Sequence, residues 1–164
     1  HAESLGLMAH EETGLGRASD KRLKNLLVVE KTPGPEELET KTVSGDLGKT
    51  WTVHPTSRSA LPEPVCMASL IRIEHAKHGD LLFFSNPNQT RGRQRMTIKV
   101  SNDEGMTWPE KWHTLIDEGA AMYSCMTLVG DDHIGIFYEA PGEIYFVRAL
   151  IAELLGEGSQ SGGD

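Results

Sequence analysis

Ser44-Gly45-Asp46-Leu47-Gly48-Lys49-Thr50-Trp51 and Ser101-Asn102-Asp103-Glu104-Gly105-Met106-Thr107-Trp108 share the pattern Ser-x-Asp-x-Gly-x-Thr-Trp, and the second copy starts 57 residues after the first. Five fixed positions in so short a frame, met twice, mark an internal repeat of supersecondary units. The pattern reads as a hairpin turn. The Asp side chain bonds backbone N–H groups across the turn, Gly supplies a positive φ, and Trp fills the space beneath the hairpin. Asp46, Gly48 and Trp51, like Asp103, Gly105 and Trp108, therefore have sufficient structural roles and fix the fold rather than the chemistry.

Working outward, short apolar runs with β-formers alternate with turn residues: 68–74, 80–85, 96–101, 112–116, 123–129, 133–139 and 144–150. The pattern predicts an all-β meander of antiparallel strands. Residues 151–155 predict one helical turn, and the Gly/Ser-rich stretch 156–164 reads as a flexible tail. Residues 1–40 differ in composition, with many charges and scattered Gly and Pro, and only 23–29 suggests an ordered element there. The chain thus divides into 1–40, 41–155 and 156–164.

The chain has 164 residues and a formal net charge of −8. That charge argues against a partner held through phosphates, so no nucleic acid is expected, and it offers no polybasic membrane patch. No run approaches the roughly 18 apolar residues of a membrane helix, so a soluble chain is expected. The compartment is left open, an extracytoplasmic one following if a signal peptide precedes His1. Cys66 and Cys125 sit in apolar runs and are expected as buried free thiols rather than a bridge. The histidines show no ligand spacing, so neither a metal nor a cofactor is expected.

Three further segments follow the order of a known family: Leu61-Pro62-Glu63-Pro64-Val65-Cys66-Met67-Ala68-Ser69, then Phe84-Ser85-Asn86-Pro87 leading to Gly92-Arg93-Gln94-Arg95-Met96-Thr97-Ile98, then Tyr123-Ser124-Cys125 with Gly135-Ile136-Phe137-Tyr138-Glu139-Ala140. With the repeated turn, which is the Asp box, they resemble the C-terminal portion of sialidases over roughly residues 41–155. The resemblance implies part of a six-bladed β-propeller, about two to three blades of four-stranded sheets. It implies an exo-α-sialidase, a glycoside hydrolase acting on a sialylated glycan or related acidic sugar. Tyr123 matches the position of the family's tyrosine nucleophile, an exception to the two-carboxylate rule of glycosidases. A neutral phenol suits this substrate, because a carboxylate nucleophile would meet the sugar's own carboxylate at close range.

The family holds that sugar carboxylate with three arginines, whose forks match a planar carboxylate. Arg93 best matches the third, Arg95 is its rival two positions later and Arg91 a weaker one. Glu139 resembles the glutamate that positions the first arginine. Glu63, between two prolines, does not match the family's catalytic glutamate and is read as part of a rigid turn. The family's acid/base aspartate, base glutamate and first two arginines have no match in residues 1–40. The chain is therefore expected to be a fragment that is inactive alone and completed by missing N-terminal blades, its open arc exposing sheet edges and apolar faces. The alternative is a non-catalytic Asp-box module for carbohydrate or protein binding, in which Tyr123 is an ordinary strand residue; the placement of Tyr123 against Arg93 separates the two.

Overall fold

The computed structural model describes residues 13–15, 26–30, 40–44, 49–57 and 60–157. Strands β1 (Thr13–Leu15), β2 (Leu26–Glu30), β3 (Thr40–Ser44) and β4 (Thr52–Val53) form one antiparallel sheet in chain order. A second four-stranded meander follows: β5 (Ser69–His75), β6 (Gly79–Pro87), β7 (Gln94–Ser101) and β8 (His113–Ala120). The third sheet has three strands, β9 (Ser124–Val129), β10 (His133–Ala140) and β11 (Glu143–Leu150), with β10 in the middle. Helix α1 (Ile151–Leu154) ends the described chain. The seven strands and the helical turn expected after residue 60 are all present. Their bounds shift by a few residues: Ala68 and Tyr123 fall just outside β5 and β9, and Trp112 closes a 3-10 turn (Glu110–Trp112) just before β8.

Period-two alternation explains where the core sits. Leu81 and Phe83 on β6 and Met96, Ile98 and Val100 on β7 point to one face of their sheet, where they meet Met126, Ile134, Ile136 and Ala149 of the third sheet. The opposite face carries Leu70 and Phe84, which pack with Leu61 and Trp108. β6 is thus covered on both sides, which is why Leu81–Phe84 reads as a continuous apolar run, whereas β7 alternates Met96, Ile98 and Val100 with buried polar Thr97, Lys99 and Ser101. β9 lies against β5 and β6, and the Ser69 Oγ accepts the Met126 N–H at 2.9 Å. The Ser85 and Ser124 hydroxyls meet at 2.8 Å, so polar as well as apolar contacts join the two sheets.

The second Asp box forms as its sequence predicts. Asp103 accepts hydrogen bonds from the Ser101 hydroxyl (2.7 Å), the Thr107 N–H (2.8 Å) and the Thr107 hydroxyl (2.6 Å). Gly105 has φ of +81°, and its N–H donates to Ser101 Oγ at 3.0 Å. Trp108 is buried and tilts against Phe84 with ring centroids 5.8 Å apart. In the first box, Asp46 and Gly48 lie outside the described residues. Its Trp51 departs from the expectation: the ring is 39% exposed. In the second box Phe84 of β6 and the Leu61 loop cover the tryptophan.

Cys66 is buried as expected, but Cys125 is exposed, and both are free thiols. The correction comes from β9 alternation: Ser124 and Met126 face inward, which turns Cys125 outward. Beside it on that outer face, Phe137 and Phe146 pair across β10 and β11 with centroids 4.5 Å apart, both largely exposed.

Candidate functional site

Loops at one end of the second and third sheets bring the predicted residues together. Gly92, at φ +74°, turns the chain from β6 toward β7 and delivers Arg93 at its end. The Ala121 N–H donates to the Arg93 carbonyl at 2.9 Å, fixing the stretch after β8 beside Arg93. The next two residues cross to the third sheet. The Met122 N–H donates to the Glu139 carbonyl at 2.7 Å, and the Glu139 N–H to the Tyr123 carbonyl at 3.0 Å. Arg93, Tyr123 and Glu139, 46 residues apart end to end in the sequence, are thus stitched together through main-chain hydrogen bonds.

The side chains meet as well. The Arg93 guanidinium carbon stands 5.3 Å from the centroid of the Tyr123 ring, within cation–π range. Its hydrogen bond with the Tyr123 side chain raises the guanidinium pKa; partial burial lowers it, and nearby Cys66, Tyr123 and Glu63 raise it further. Tyr123 is 37% exposed, so it is reachable from solvent and not buried in a packed seam. The Arg93 Nη2 donates to the Val65 carbonyl at 2.7 Å.

Arg95, the rival, is occupied elsewhere. It sits at a register shift between β7 and β8 with φ of +62°, and its exposed guanidinium pairs with Glu118. A β-bulge re-aims a side chain in this way. Arg91 is exposed on the same loop. The chemistry this arrangement supports is an exposed phenol against a fixed cation, suited to an anionic ligand. Among the described residues, no group of three or more His, Cys, Asp or Glu is placed to hold a metal.

Sequence reasoning missed the Leu61–Cys66 turn as part of the site. Glu63 within it is fully buried and its carboxylate accepts the Cys66 N–H. The signal was a glutamate locked between Pro62 and Pro64, a costly place for a charge unless something uses it.

A sialidase of Bacteroides fragilis is 51% identical over 102 residues, covering 60% of this chain and 19% of that protein. The chain is a sialidase homologue. A sialidase of Micromonospora viridifaciens is 32% identical over 101 residues, 58% of this chain and 15% of its own length. A Bilophila wadsworthia protein named acetaldehyde dehydrogenase (acetylating) is 36% identical over 109 residues, 62% of this chain and 22% of its own length. Its name stands apart from the two sialidases. No protein-family profile matches the chain. Among solved structures, a Hadza microbial sialidase superposes with a TM-score of 0.76 at 36% identity, covering 86% of this chain and 27% of that one. A Trypanosoma rangeli sialidase in complex with the inhibitor DANA has a TM-score of 0.65 at 15% identity, which shows the shared fold, over 88% of this chain and 24% of that one. The three sheets are therefore part of a sialidase β-propeller. The chain spans about a fifth of the length of the curated sialidases it matches.

Proposed function

We propose that this chain serves exo-α-sialidase chemistry, contributing the nucleophile and one carboxylate-binding arginine of the site. The contact between Arg93 and Tyr123 supports the reading best: a guanidinium 5.3 Å from a phenol ring, with both groups reachable from solvent. Arg93 would hold the sugar's carboxylate through part of its fork, setting the anomeric carbon over Tyr123. The Tyr123 oxygen then bonds to that carbon as the bond to the leaving-group oxygen breaks, the electron pair passing to that oxygen, which takes a proton. Water displaces the phenol in a second step. Removing the phenol proton needs a base, because a tyrosine hydroxyl has a pKa near 10 in water. Glu139, tied to Tyr123 through its backbone, would position an arginine of the carboxylate clasp.

The acid/base aspartate, the base glutamate and two further arginines of the family find no match in this sequence, so the chain alone is proposed to bind the sugar without turning it over. Two measurements test this. N-Acetylneuraminic acid titrated into the isotopically labelled chain should shift the Arg93 side-chain and Tyr123 ring resonances, with the shifts lost in Arg93→Ala and kept in Tyr123→Phe. No release of 4-methylumbelliferone from its sialoside is expected. Robust turnover abolished in Tyr123→Phe would overturn the claim of an incomplete set, and no binding at millimolar sugar would remove the sialidase reading itself.

A further inference from the structure

Arg93 is aimed by a turn that no role so far explains. Residues 61–66 form a loop that Leu61 anchors in the apolar cluster of Phe84 and Trp108 and that buried polar groups fix further along. The buried Lys99 ammonium donates to Asn86 Oδ1 at 2.8 Å, and the buried Asn86 Nδ2 donates to the Pro62 carbonyl at 2.7 Å. One residue on, the Glu63 carboxylate, with no solvent exposure, accepts the Cys66 N–H and closes a tight turn. Val65, inside that turn, has φ of +54°. A β-branched residue in the left-handed region is strained and persists only where its surroundings impose it. Packing does not impose it, since the Val65 side chain is 48% exposed. What the conformation delivers is a carbonyl oxygen 2.7 Å from the Arg93 Nη2.

We propose that Glu63 is a positioning residue for Arg93: by locking the turn through Cys66 it places the Val65 carbonyl, which anchors one arm of the guanidinium and leaves the remainder for Tyr123 and an incoming carboxylate. The inference rests on the sialidase reading for its purpose, while its geometry stands without any sugar. A guanidinium free to rotate loses rotational entropy each time it engages a planar anion, and an arm already fixed removes part of that loss. Glu63 also places a negative charge close enough to favour the cation, as the raised Arg93 pKa reflects after its principal cause, the Tyr123 hydrogen bond.

Reach and charge are separable by substitution. Glu63→Gln keeps an acceptor oxygen at the same reach and drops the charge, whereas Glu63→Asp keeps the charge and shortens the reach by one methylene; Glu63→Ala drops both. The readout is arginine side-chain NMR on the full labelled chain without ligand, with the Arg93 signals assigned by their loss in Arg93→Lys. In the parent, rotation about the Arg93 Nε–Cζ bond should be about tenfold slower than in exposed Arg148, the worth of one hydrogen bond to a charged group, and NOEs should join the Arg93 side chain to the Tyr123 ring. Glu63→Gln should retain both. Glu63→Asp and Glu63→Ala should bring Arg93 to the Arg148 rate and lose the NOEs while amide spectra stay folded.

An Arg93 that stays restrained in Glu63→Asp, or that loosens equally in Glu63→Gln, overturns the proposal. If Glu63→Ala does not fold, the Asp and Gln pair decides. Failure of the sugar titration would instead count against the sialidase reading, because these arms contain no sugar.

Discussion

Replacing Asp103 by alanine should cost about 2–4 kcal/mol. The carboxylate accepts three hydrogen bonds, two from Thr107 and one from Ser101, at 2.6 to 2.8 Å. Each hydrogen bond to a charged group is worth roughly 1.5–3 kcal/mol net. Asp103 is only half-buried, so water recovers most of the loss at exposed Thr107 but little at buried Ser101, which brings the total below the roughly 4.5 kcal/mol that three full bonds would give, to about 2–4 kcal/mol. Asp103→Asn should cost about 1–2 kcal/mol, since one amide oxygen can still accept from Ser101 and the Thr107 N–H while the Thr107 hydroxyl must turn to accept. With a urea m-value of about 2 kcal/mol/M, alanine should lower the unfolding midpoint by about 1–2 M with m unchanged.

The gap should also depend on pH. Burial alone would raise the Asp103 pKa, but the Thr107 and Ser101 hydrogen bonds outweigh it and hold the carboxyl below its ordinary value. A depressed carboxyl stabilises the fold above its unfolded pKa, near 4, and that contribution disappears as pH falls through the folded value. The difference between parent and Asp103→Asn should therefore shrink on acidification below about pH 4. An alanine variant that shifts the midpoint by less than about 0.5 M at neutral pH would refute the reasoning.

Gly135→Ala should destabilise the third sheet by about 1–3 kcal/mol in the same titration, because its Cβ would stand 2.7 Å from Val129 Cγ2 and 2.9 Å from a Phe146 ring carbon; an unchanged midpoint would show that these neighbours give way freely. Native chain treated with a thiol reagent should lose one thiol quickly, Cys125, and the second, Cys66, only in denaturant. Glu157, held down to about 2 by hydrogen bonds from Lys77 and then His78, should lose its contribution as pH falls from about 4.5 toward 2. The thermal shift caused by Glu157→Gln should accordingly be small, reduced by salt, and gone at the acidic end of that range.

The strands were legible because each carries its own signal, a short run of β-forming apolar residues such as Leu81-Leu82-Phe83-Phe84 or Ile134-Gly135-Ile136-Phe137 bounded by turn residues, although such runs do not tell which face each side chain takes. The second Asp box was legible for the same reason, its bonds joining residues within one short frame. Tyr123, Arg93 and Glu139 were found through resemblance, and no local pattern could have told that the backbone from Ala121 to Tyr123 brings them together. The misread residues depend on neighbours from distant sequence. Trp51 needs a cover that its own frame does not contain, and Cys125 sits in an apolar run whose register decides which half faces out. Arg95, the rival ranked below Arg93, was not misread, although the β7 pairing irregularity that diverts it is invisible in composition. Glu63, read as a turn residue, does close a turn by accepting the Cys66 N–H, and what the sequence could not tell is that the next residues of that turn reach Arg93 through the Val65 carbonyl.

Ala121, Met122 and Tyr123 have one further consequence. The first is hydrogen-bonded to the second sheet, and the other two to the third. The contact of Arg93 with Tyr123 therefore belongs to neither layer but to the weld between them, and its alignment reports any slippage of one layer past the other. An engineer who opened the polypeptide at this tripeptide and rejoined it elsewhere could recover both layers intact and find the phenol and the guanidinium out of register.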